Sequence, residues 1–154
     1  MGAVFFYHLT RNPLERTLPM LLGKSRERGW SVVVRGTDRA RLAQLDEALW
    51  LGPEEAFLPH GMAGGPHDAL QPVLLTDAPD APNGAQCLMA IDGAGIDVGE
   101  VDGFERACLI FDGNDQSAVA AARVQWKTLV DAGCSAQYWS EESGRWQKKA
   151  ESGG

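Results

Sequence analysis

Few side chains in this sequence have the means to do chemistry, and they are scattered. His60 and His67 flank the glycine-rich run Gly61-Met62-Ala63-Gly64-Gly65-Pro66, and Asp68 follows the second histidine. Two histidines this far apart, with one carboxylate and no cysteine, make a poor zinc set, so no metal is expected. The run lacks a following Lys-Ser/Thr and precedes a strand. Phosphate cradling instead aims backbone N–H groups from a helix N-terminus. A small α/β nucleotide-binding hydrolase using the Gly61–Pro66 loop is the enzymatic alternative, but no serine sits in a GxSxG elbow. Cys87, Cys108 and Cys134 form no CxxC pair and read as free thiols in a reducing compartment, the first two as small core hydrophobes. The carboxylates of 92–105 read as the solvated face of an exposed acidic loop. No catalytic residue and no cofactor is expected.

Recognition chemistry is better represented. Arg123, Trp126 and Lys127 fall at i, i+3 and i+4 of a helical stretch, with Val119 one turn earlier on the same face. Either Trp126 packs into a core beneath two snorkelling cations, or the cations hold a carboxylate while Trp126 and Val119 hold an apolar side chain. The second arrangement would capture a short acidic, hydrophobic peptide. The stretch Leu45-Asp46-Glu47-Ala48-Leu49-Trp50, followed by Phe57-Leu58-Pro59-His60, couples a helix end to a proline-stiffened turn. It reads as a docking edge, although a tryptophan on a helical stripe also suits a core.

The 154 residues suit one domain, here residues 1–140, followed by a polar tail over 141–154. No apolar run approaches membrane-helix length. Met1–Leu9 has no basic leader character, so a cytoplasmic location with no membrane association is expected. The net charge of −7 is unevenly spread: residues 1–50 carry +3, residues 51–113 carry −10, and residues 114–154 are neutral. An acidic middle repels phosphate, so DNA is expected to be contacted only indirectly.

Apolar runs at 4–9, 30–34, 73–76, 86–91, 106–111 and 134–139 predict strands. Those near the N-terminus are apolar on both faces, as when helices cover both sides of a sheet. Helices are predicted from Asn12 (N-cap) and Pro13 to Arg28, with Pro19 expected to kink or restart it. A second runs from Thr37 or Asp38 to Trp50, then a short piece over 53–56, and a last one over 116–131 capped by Asn114 or Asp115. The alternation implies a three-layer α/β/α domain with a mainly parallel central sheet, Rossmann-like but without a nucleotide site. The first strand is followed by Thr10-Arg11-Asn12-Pro13, not GxGxxG.

Taken together, these pieces resemble the chi subunit of bacterial DNA polymerase III over about Val4 to Trp139. The matching residues are Phe6-Tyr7-His8-Leu9, Leu45–Trp50, Phe57 with Pro59-His60, the glycine loop leading to Pro72-Val73, and the helix carrying Arg123, Trp126, Lys127 and Gly133. The resemblance implies a non-catalytic DNA-replication adaptor. It would join the clamp-loader complex, through psi or an equivalent partner, to the C-terminal tail of single-stranded-DNA-binding protein. It also implies that Trp50, Phe57, Pro59 and His60 face psi, and that Arg123, Trp126, Lys127 and Val119 form the tail site. Val119 departs from the lysine of better-known members, leaving one fewer cation. Arg35, Arg39 and Arg41 are candidates to replace it. Affinity on the order of micromolar is expected for so short a peptide.

Overall fold

The computed structural model describes residues 3–50, 60–141 and 145–152. In chain order the elements are β1 (Ala3–Leu9), α1 (Leu14–Glu27), β2 (Val32–Arg35), α2 (Arg39–Trp50), β3 (Gly61–Met62), β4 (Val73–Thr76), β5 (Cys87–Ala90), α3 (Val98–Val101), β6 (Arg106–Asp112), α4 (Gln116–Asp131), β7 (Ser135–Ser140) and β8 (Gln147–Ser152), with a 3-10 turn at Asp68–Leu70. One sheet runs β3-β4-β2-β5-β6-β1-β7-β8. All its pairings are parallel except β7 with β8.

β1 lies inside the sheet, with Phe6 opposite Leu109 on one side and Tyr138 on the other. Successive side chains of a strand point to opposite faces, and both faces are covered. Leu9, Val32, Val34, Val73, Leu75, Met89 and Ile110 pack against Leu18, Leu22, Leu42 and Leu45 of α1 and α2. Val4, Phe6, Val33, Leu88, Leu109 and Phe111 pack against α3 and α4 through Val101, Ala122 and Leu129. This is the expected α/β/α sandwich with a mainly parallel sheet.

Local chemistry explains several boundaries. Gly29, at φ 80°, closes α1: its N–H donates to the Arg26 carbonyl, and the Trp30 N–H donates to that of Ser25. This is the Schellman arrangement that favours glycine. Trp30 therefore belongs to the helix exit, and β2 begins at Val32, later than predicted. Asp38 caps α2, accepting from the Ala40 N–H, and Asp115 caps α4, accepting from Ser117 and Ala118.

Three further expectations need correction. α1 starts at Leu14 after Pro13 without a side-chain cap and runs unbroken through Pro19; Asn12 turns its amide to Glu141 instead. The glycine-rich run opens with β3, which pairs with Leu74 and Leu75 of β4. The acidic segment 92–105 is not a solvated loop. Ala94, Ile96 and Val101 are buried, and Asp97 with Glu100 forms the capping box of α3, because an apolar residue every few positions anchors the segment to the second layer. The predicted helical piece at 53–56 lies outside the described residues.

Gly113, in the turn from β6 to α4, donates its N–H to the Leu9 carbonyl at 2.6 Å. A Cβ there would overlap the His8 ring and crowd that same carbonyl. Gly113→Ala is therefore expected to destabilise the fold by about 1–3 kcal/mol. Chemical denaturation should show a lowered midpoint, and an unchanged midpoint would mean that the turn yields.

Candidate functional site

In open parallel sheets, ligands bind outside the strand C-terminal ends, where neighbouring strands send their connections to opposite faces. β1 and β6 are such neighbours: β1 leads to α1 in the first layer, and β6 to α4 in the second. A crevice of about 770 Å³ lies there, floored by Leu9, Ile110 and Phe111. Glu15, Asp92, Asp112 and Asp115 stand around it against Arg11 and Arg41. Arg41 is itself paired with Glu15, and with Asp92 at 3.0 Å.

The turn that would cradle a phosphate is filled from within. The backbone N–H groups of Thr10, Arg11 and Asn12 donate to Glu141 Oε1 at 2.9–3.0 Å, and the Asn12 amide donates to Oε2 at 3.0 Å. Burial pushes the Glu141 carboxyl upward, but these four hydrogen bonds outweigh it and leave the group below its ordinary value. The glycine-rich loop is filled in the same way: the N–H groups of Gly64 and Gly65 donate to the two oxygens of Asp68. Both segments in which a nucleotide-binding reading would seek phosphate donors thus carry a carboxylate of the chain itself. Sequence reasoning missed both carboxylates. Asp68 was open to recognition, being three and four residues from its donors, whereas Glu141 meets its donors only through β1–β7 pairing.

No group of three or more His, Cys, Asp or Glu suited to a metal occurs among the described residues. The His60 side chain is 0% exposed, and its Nε2 donates to the Asp46 carbonyl at 3.0 Å. It anchors the approach to β3 against α2 from inside. Phe57 and Pro59 lie outside the described residues, as does the side chain of Trp50. The three cysteines are free and buried. The hydrogen bond with Cys87, together with burial, pushes the Cys108 thiol well up, so Cys108 stays protonated and suits its core position.

α4 brings together most of its predicted face. Trp126 is half-buried, 5.3 Å edge-on to Phe6 and 6.0 Å from Tyr138. Beneath it lies an aromatic cluster in which Tyr138 also meets Phe111, and its hydroxyl lies 2.6 Å from His8 Nδ1. Val119 packs against the same core. Arg123 is exposed, with no ion-pair partner among the described residues. Lys127 meets Asp131 at 3.3 Å, but with its side chain 80% exposed that contact is screened by water. Beside these cations Val124 is 67% exposed, an apolar side chain not singled out by the helical pattern. Arg35, Arg39 and Arg41, the candidates to replace the cation absent at Val119, stand on β2 and α2 rather than on α4. They are paired with Glu100 at 2.8 Å, Asp77 at 3.7 Å, and Glu15 with Asp92, respectively.

Fold and site together define a doubly wound α/β domain that fills its own phosphate-binding turn and presents an aromatic-backed cationic helix. The family model described as DNA polymerase III chi subunit, HolC, matches residues 1–137, and the chain belongs to that family. A relative named "Probable DNA polymerase III subunit chi" from Rickettsia prowazekii (strain Madrid E) is 29% identical over 90 residues, which is 58% of this chain and 54% of the relative. The chain thus spans about half the length of that curated relative. No helix among the described residues is long and apolar enough to cross a membrane.

The folded Glu141 carboxyl titrates below its ordinary 4.5, so its stabilisation is present above that pH and is lost as pH falls through the lower folded value. Glu141→Ala is expected to cost about 1–3 kcal/mol near neutral pH by stranding backbone donors. Urea melts between pH 3 and 7 should show the gap between variant and parent closing toward the acid end. A gap independent of pH would contradict a charged role for this side chain.

Proposed function

We propose that the chain is a non-catalytic replication adaptor, an accessory subunit of DNA polymerase III. One side binds the acidic, hydrophobic C-terminal tail of single-stranded-DNA-binding protein; the other docks on the clamp-loader complex through psi or an equivalent partner. The observation carrying this reading is the exposed guanidinium of Arg123, without an ion-pair partner among the described residues, on the helix that also holds the half-buried Trp126 ring. A peptide's terminal carboxylate has cations to meet at Arg123 and Lys127, and its apolar side chain has Trp126 and Val119. The carboxylates around the neighbouring crevice, Asp112 and Asp115 among them, repel the tail from the N-terminal end of α4 and favour the Arg123–Lys127 half. Screening beyond roughly 8 Å at physiological salt keeps the net negative charge from opposing contact.

On the clamp-loader side, Trp50, Phe57 and Pro59 are the proposed contacts. His60 is a positioning residue, since its buried ring ties the start of β3 to Asp46 of α2. This division of labour follows the family rather than any geometry at Phe57 or Pro59.

A fluorescent peptide ending in the tail sequence should bind saturably by anisotropy, with a Kd on the order of micromolar. Arg123→Glu should weaken it about tenfold or more, consistent with a charge-assisted contact. Trp126→Ala should also weaken it, with a melt run in parallel because Trp126 touches Phe6. Absence of saturation at tens of micromolar, or an unaffected Arg123→Glu, would sink the tail site. For the other side, Trp50→Ala should abolish co-purification with clamp-loader components while leaving the melt nearly unchanged; a collapsed melt would assign Trp50 to the core.

A further inference from the structure

α4, the helix that packs closely on β7, lies on the second-layer side. On the first-layer side α1 leaves the end of β1 and returns the chain at β2, beyond β6 and β5. The first-layer side of β1 therefore carries aromatic residues toward the β7–β8 edge of the sheet, away from the helices that cover β2 and β4.

Those residues form a continuous strip. The Arg28 guanidinium stands over Trp30 at 5.2 Å, and that of Arg106 is 5.2 Å from Trp30 and 4.0 Å from Phe5. Phe5 and Tyr7 rings are 6.4 Å apart, and Tyr7 meets Trp146 edge-on at 5.4 Å. All four rings are partly exposed. Tyr7 remains an uncharged phenol, because burial raises its hydroxyl far above the usual range. Arg35, Arg39 and Arg41 are each tied to a carboxylate; Arg28 and Arg106 have no carboxylate partner among the described residues, only ring faces.

Independently of the tail-binding reading, we propose that this strip binds single-stranded DNA. The partly exposed Tyr7 and Trp146, and the guanidinium planes that cover Phe5 and Trp30, offer stacking to successive unpaired bases, and this tolerates any sequence because every base has a π-face. The two unneutralised guanidiniums meet the backbone. A duplex hides its base faces and carries a denser charge, which the acidic remainder of the chain repels. An acidic peptide would use the cations but leave the row of rings without a partner.

The test is titration of the whole protein with a fluorescein-labelled oligothymidylate lacking any protein tail, read by anisotropy and by tryptophan fluorescence. Saturable binding with tryptophan quenching is expected. Two phosphate contacts predict a shallow slope of log K against log salt, about −1.4 at roughly −0.7 per contact. Arg28→Glu, at an exposed position, should weaken binding about tenfold, the scale of one lost charge-assisted contact. Trp146→Ala should reduce quenching, and Arg123→Glu, in the opposite layer, should change neither readout. The proposal is overturned by absence of saturation at about 100 µM, a range in which even weak non-specific binders respond. It is overturned equally by tight binding of a duplex of the same length, by a polyglutamate peptide that competes on equal terms, or by full binding of a folded Arg28→Glu variant.

Discussion

The carboxylate of Glu141 is the point on which the arrangement around the sheet's crevice depends. It leaves the end of β7, reaches the turn after β1, and accepts three consecutive backbone N–H groups and one side-chain amide. Those donors would otherwise be unsatisfied as the chain turns into a helix whose N-cap is a proline. A nearly buried carboxylate is tolerable because so many donors meet it. The same bonds fix the exit of β7 relative to β1 and close the position where a Rossmann-type domain holds its ligand's phosphate. What remains is a crevice ringed by acids, suited to neither phosphate nor an acidic peptide.

Charge follows the same economy. The basic surplus of the first third and the acidic surplus of the middle meet across the sheet, in Arg35–Glu100, Arg39–Asp77 and Arg41–Asp92. Arg123 on α4, Arg28 at the exit of α1 and Arg106 on β6 are among the cations that have no carboxylate partner among the described residues. Arg123 stands on the second-layer helix, whereas Arg28 and Arg106 meet rings that pack against the first-layer core.

Much of the fold was legible because its signals are local. Continuous apolar strands announced two covered faces, Gly29 announced the end of α1, and the spacing of Arg123, Trp126 and Lys127 announced a shared helix face. Reading 92–105 as solvated failed because its five carboxylates alternate with five apolar residues, Ala94, Ile96, Val98, Val101 and Phe104, that pack against the second layer. The glycine run concealed β3 because two residues carry no periodicity.

By itself the sequence determined the layer architecture, the family and the composition of the α4 face, and it located the caps of α2 and α4 but not the start of α1, where Asn12 turns to Glu141; apolar periodicity, helical spacing and capping are local signals. Only the tertiary structure decided which charges are spent and which are free. Glu141 meets its donors from some 130 positions away, Arg106 reaches Phe5 and Trp30 from other elements, and Tyr138 completes the floor beneath Trp126. The physical reason is that pairing in a parallel sheet joins strands distant in the chain. The chain order therefore gives the inventory of charges and rings, and the strand order gives their partners.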